Sequence, residues 1–116
     1  MLSPLIALTL LAAGPAVPEA YAPVFTGALV STYADGRKAK LWLESDGAFS
    51  GQGRTGRRNS GSWTLETKGL CMRQSRPFPV PFKFCTPLPA SLTQPWAAKA
   101  PTGEAVTVTF VAGDRP

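Results

Sequence analysis

Histidine is absent from this chain and cysteine occurs only twice, which removes whole classes of chemistry at the outset. Without an imidazole, a serine or cysteine nucleophile lacks its usual base, and a Cys/His zinc site cannot be completed. Charged residues are also scarce, at 16% against 44% hydrophobic, a balance that argues against disorder and for an ordered body with an apolar core. Long apolar runs are missing too: Leu5 to Ala13 is too short to cross a bilayer, which takes about 20 residues. Proline and glycine are abundant, at twelve and eleven, and no segment beyond the N-terminus sustains a helical period. Short strands joined by many turns are the consequence.

Residues 1–22, MLSPLIALTLLAAGPAVPEAYA, place an apolar stretch before small residues and prolines, the pattern of a secretory signal peptide. No Lys or Arg precedes the stretch, so the amino group of Met1 must supply the positive charge; a buried N-terminal helix is the alternative. Cleavage after Ala16, Ala20 or Ala22 fits the small-residue rule, with Pro23 disfavouring the last. No cysteine follows Leu11-Ala12-Ala13-Gly14, so a lipid has no attachment atom and no stable membrane anchor is expected. Removing residues 1–22 leaves one domain, 23–116, of roughly 95 residues, near the lower limit for an unaided core.

Within that domain, Val24 to Tyr33 is rich in β-branched and aromatic residues and ends at Ala34-Asp35-Gly36, a hairpin signal. Lys38 to Glu44 alternates Ala39, Leu41 and Leu43 with Lys40, Trp42 and Glu44, and Ser45-Asp46-Gly47 turns the chain again. Trp42 therefore falls on the charged face, either covered by the stems of Lys38 and Lys40 or open to a ligand, the covered arrangement being favoured. Ala48 to Gly53, Ser60 to Thr67, Leu70 to Gln74 and Ala105 to Val111 read as further strands. The pattern predicts an all-β domain: an antiparallel meander of about six to eight strands forming a barrel or a strongly curled sheet. Its core is assigned to Phe25, Leu29, Leu41, Leu43, Phe49, Trp63, Leu65, Val106, Val108 and Phe110.

An even pair of cysteines in an exported chain predicts a Cys71–Cys85 disulfide, since there is no C-x-x-C and no histidine to support a redox or metal role. Inside the loop it closes, prolines at 77, 79 and 81 remove backbone donors from one edge of an extended segment. On that geometry Phe78, Val80, Phe82 and Phe84 share a face, and a protected edge strand or strand-like crossing is predicted. That face either packs on the core or meets a hydrophobic ligand or partner protein, with Trp42 as a further member of such a surface. The repeat of two residues does not suit PxxP recognition.

Between Arg37 and Lys83 the chain carries ten basic residues against three acidic ones, so a charged partner would be an anion. Arg54, Arg57 and Arg58, on one turn, are the candidate anion-binding residues; their plainer role is a solvated tip that discourages aggregation. Gly51-Gln52-Gly53-Arg54-Thr55-Gly56 spells G-x-G-x-x-G, but a strand rather than a helix follows it, so the glycines are assigned to a hairpin turn and not to a nucleotide. Nucleic acid would want exposed aromatics interleaved with the basic residues, and is not expected. Carboxylates at turns are explained by solvation, so no catalytic residue, metal site or cofactor is assigned.

Asp46-Gly47-Ala48-Phe49-Ser50-Gly51, Gly61-Ser62-Trp63, Leu70-Cys71 and Cys85 together resemble small exported bacterial β-domains of unknown function, with a DG turn, a GxW strand and one disulfide in a lipocalin-like or avidin-like meander. The resemblance covers about half of the mature chain and leaves out the proline strip and the arginine turn. It implies periplasmic or secreted placement and a binding or structural role, and carries over no catalytic or ligand residues. The resulting expectation is a non-catalytic exported domain that binds a ligand or protein partner not identified by sequence, with a secreted inhibitor of an extracellular enzyme as the alternative.

Overall fold

The computed structural model describes residues 14–116, so the apolar run of the predicted leader lies outside the described residues. Eight strands form one antiparallel sheet: β1 Gly27–Tyr33, β2 Lys38–Leu43, β3 Ala48–Gln52, β4 Arg58–Glu66, β5 Gly69–Arg76, β6 Phe84–Thr86, β7 Trp96–Lys99 and β8 Ala105–Ala112. Their order, β6-β5-β4-β3-β2-β1-β8-β7, is a six-strand meander extended by the β7–β8 hairpin, with β8 laid against β1. The sheet curls into a nearly closed barrel, in agreement with the fold class read from the sequence. Closure stops between β6 and β7, the two shortest strands of the sheet.

Glycine makes the tight turns possible. Gly36, Gly47, Gly56 and Gly69 have φ of 85°, 98°, 90° and 111°, in the left-handed region that other residues avoid, and each stands between two of the strands predicted from the pattern. Asp35 and Asp46 brace two of these turns by accepting from the backbone N–H of Arg37 and Ala48.

The inward faces follow the two-residue period. Leu29, Leu43, Phe49, Trp63, Val106 and Val108 are buried in the interior, with Phe25, Leu41, Leu65 and Phe110 packed against them, so the core assignment holds. Trp63 is only 2% exposed, and its Nε1 donates to Glu44 O at 2.8 Å, which satisfies the indole while its ring lies 5.9 Å from that of Phe25.

Three expectations change. The predicted first strand starts later: Glu19–Thr26 is a 3-10 segment containing Pro23, which has no N–H for a ladder, and pairing begins at Gly27. Val17, Tyr21 and Val24 pack against the core, and the Tyr21 hydroxyl donates to Pro89 O. The proline strip is not a strand from Pro77 onward. β6 covers Phe84–Thr86 alone, and residues 77–83 form an exposed loop tied by Val80 N to Gln74 O at 3.0 Å and Gln74 Nε2 to Phe78 O at 3.1 Å. Three closely spaced prolines remove too many donors for a continuous ladder. Finally, β7 is not among the strands predicted from the pattern; Trp96-Ala97-Ala98-Lys99 alternates in burial but is too short and alanine-rich to announce itself.

Cys71 and Cys85 face each other across β5 and β6 and are joined by a disulfide, with Cα atoms 4.0 Å apart. It fastens the short terminal strand β6 to the meander. A second, smaller cluster lies on the outer wall, where Ala28, Val30 and Trp42 are buried.

Candidate ligand cavity

All strands run between two ends of the barrel, and the ends differ. The lower end, from which β1 departs, is plugged by the 3-10 segment and the 87–95 loop, with Tyr21, Val24 and Leu92 packed under Trp63 and leaving a gap of only about 20 Å³. Above that floor the barrel holds a cavity of about 520 Å³, within the range of small-molecule sites. Its wall is built by inward positions of strands: Leu29 and Ser31, Leu41, Leu70 and Met72, Trp96 and Val108. The upper rim comes from the β1–β2, β3–β4 and β7–β8 turns and the 77–83 loop, represented by Tyr33, Gly53, Thr102, Val80 and Phe82.

The large side chains are concentrated at the floor, while β3 and β4 place Gly51 and Asn59 directly opposite each other nearer the rim. Counting back from Trp63 in steps of two gives Gly61 and Asn59 on the same inward face. A Cβ at Gly51 would collide with Asn59 Oδ1, so glycine is what lets this amide lie across the neighbouring strand. Asn59 Nδ2 donates to Gln74 Oε1 at 3.5 Å, and Asn59 Oδ1 is buried with no partner. Asn59 directly precedes the strand predicted from Ser60 and is not among the candidates read from the sequence; the alternation counted back from Trp63 was the signal that could have singled it out.

A salt-linked cluster braces the rim. Arg54 makes a two-pronged contact with Glu104, at 2.8 and 2.9 Å, stands 4.0 Å from Asp35, and lies 4.2 Å above the Tyr33 ring. This ties the three upper turns together. The hydrogen bond from Arg54, followed by that from Thr102, holds the Glu104 carboxyl below its ordinary pKa. On the outer wall, Glu66 is likewise held low by Lys83, whose Nζ is 2.7 Å away, and by Thr64.

The residues proposed from sequence are therefore dispersed. Arg54 is committed to Glu104, whereas Arg58 lies 6.0 Å from Trp42 on the outer wall, so these two guanidinium groups work on opposite faces of the sheet; Arg57 is exposed. The three do not converge into one anion cradle. Trp42, offered as part of an apolar surface, is corrected: it is 3% exposed, in line with the covered arrangement, clustered with Ala28 and Val30 and tied through its indole to the C-terminal tail. Its Nε1 donates to Asp114 O at 2.8 Å, Lys40 Nζ meets the Asp114 carboxylate at 2.8 Å, and Arg115 pairs with Glu44. Phe78 and Phe82 are exposed, at 60% and 65%, and of the two Phe82 lines the cavity rim together with Val80.

Comparison of the chain with protein-family models, with curated proteins and with solved structures returns no match.

Proposed function

We propose that this chain is an exported, non-catalytic β-domain whose barrel interior binds a small, largely apolar molecule. The observation that carries the reading is the cavity of about 520 Å³ above a packed floor, because a small domain that leaves such a volume unfilled gives up packing contacts that its own side chains could have made. The likeness to lipocalin-like or avidin-like meanders is consistent with an interior site, though it supplies no ligand. Export is supported by the signal-like N-terminus and the disulfide, which persists in oxidising compartments. The non-catalytic reading rests on a chain without histidine whose two thiols are bonded to each other.

A neutral fluorescent probe, N-phenyl-1-naphthylamine, tests the cavity. It is expected to brighten on binding with one-to-one stoichiometry, and Ala98→Phe, which fills part of the wall, should abolish the signal while leaving the β-sheet circular dichroism unchanged. No brightening, or binding unaffected by the filled wall, would count against an interior site. Inhibition of an extracellular enzyme is the second reading, favoured by the exposed Phe78 and Phe82 on a loop between disulfide-linked strands. Joint Phe78→Ser and Phe82→Ser substitution should remove inhibition of a protease or glycosidase panel if that reading is right.

A further inference from the structure

We infer that the cavity selects an uncharged molecule carrying a hydroxyl or N–H donor, and that Asn59 Oδ1 is the atom that reads it. The inference rests on the interior-site reading above and adds the ligand's polarity and its point of attachment.

Three observations lead to it. The first is the orphan acceptor: Asn59 Oδ1 is buried and unpartnered in a residue that lines the cavity. A buried carbonyl oxygen without a donor is costly, and one kept at a cavity wall is a place where an incoming donor recovers that cost. The second is that neighbouring groups fix which end of the amide meets Gln74 and which lies against Gly51. Gln74 Nε2 donates to Phe78 O at 3.1 Å, which leaves Gln74 Oε1 to accept from Asn59 Nδ2 at 3.5 Å. Turning the Asn59 amide over would set two acceptor oxygens against each other, so the oxygen stays turned away from Gln74 and toward Gly51. Gly51 supports the same arrangement from the opposite strand, since any Cβ there would occupy the space of Oδ1.

The third observation concerns charge. The charged residues bordering the cavity are Lys40 and Lys99, and both sit at outward positions of their strands. Lys40 Nζ is held by Asp114 on the outer wall, and Lys99 is exposed beside the inward Ala98. Rim Arg54 is neutralised by Glu104. A charged head group drawn inside would lose its hydration without meeting an opposite charge, whereas a neutral alcohol, phenol or amide N–H meets an acceptor already desolvated. The remainder of the ligand lies along Leu29, Leu41, Met72 and Val108.

Matched competitors displacing N-phenyl-1-naphthylamine test this directly: 2-naphthol against 2-methoxynaphthalene, and 1-dodecanol against dodecyl methyl ether. Wild-type protein should bind the hydroxyl member of each pair roughly five- to tenfold more tightly, the range of one neutral hydrogen bond. Asn59→Leu, of similar shape but without the acceptor, should bring that ratio to about one. Gly51→Ala, which displaces the amide from the other strand, should narrow the ratio in the same direction and serves if Asn59→Leu does not fold. Equal affinities within each pair in wild type, or an unchanged ratio in both variants, would overturn the role of Asn59 and leave the interior site standing. Failure of all four competitors and the probe to bind would remove the site and this inference together.

Discussion

The two ends of the barrel are made of the same strands and do opposite things. At the floor each inward position carries bulk, and the one polar atom of Trp63 is satisfied by Glu44 O. Toward the rim the same β3–β4 pair offers Gly51 and Asn59, leaves an acceptor unpartnered, and opens into a cavity instead of a core. The difference locates the packed core at one end and, on the proposed function, recognition at the other. It can be broken by moving either property to the wrong end.

The largest effect is expected at the floor. Trp63→Ala removes a ring that is 2% exposed and touches the plug from above, a change worth about 3–5 kcal/mol, a large share of what a small domain has. Urea denaturation should show most of the cooperative transition lost, and Trp63→Phe should recover part of it. A fully stable Trp63→Ala would mean that the floor is not where the fold is held.

Next is the disulfide. Cys71→Ser with Cys85→Ser frees β6, a strand of three residues with no partner strand on its far side among the described residues, and should cost about 3 kcal/mol on the loop-entropy account. Thermal melting with and without reductant checks it: the wild type should fall to the variant's melting temperature when reduced, and the variant should not respond.

Acid sharpens the comparison at the rim. Glu104 and Glu66 have folded-state pKa values below their ordinary ones, so each adds stability that is complete above the ordinary glutamate value and disappears as pH falls through the lower folded value. Both pairs are solvent-exposed, so the effect is small and weakened by salt. Glu104→Gln should flatten the acid limb of melting temperature against pH. It should do so more at low ionic strength, and an acid limb identical to wild type would show that the rim clamp does not contribute.

How far the chain could be read beforehand follows the same division. Strands and core were legible where alternation is carried by large residues, as at Leu41-Trp42-Leu43 and Ser62-Trp63-Thr64, and turns were legible wherever Asp-Gly or Lys-Gly fell between them. The paired cysteines were legible because nothing else in the chain competes for them. Obscure features were those set by distant contacts. Trp42 is tied to Asp114, from the other end of the chain, and no local pattern announces that. Arg54 looked free because Glu104, its partner, lies fifty positions away. Asn59 was not singled out because its inward aim depends on counting from Trp63, and its isolation depends on Gly51 in a neighbouring strand.

The smallest expected effect on stability separates the two ends most cleanly. Phe82 is 65% exposed at the rim, so Phe82→Ser removes little buried surface and should change unfolding free energy by no more than about 0.5 kcal/mol. Yet its ring borders the cavity, so a ligand that enters covers it, and the apolar area gained on binding is lost in the variant. Binding of N-phenyl-1-naphthylamine should weaken several-fold while the melting curve stays in place. Trp63→Phe provides the mirror image, a lowered melting curve with a cavity wall still able to hold the probe. A Phe82→Ser variant that lost stability and kept its affinity would reverse the roles of the two ends, because the exposed ring would then belong to the core and the opening would lie elsewhere.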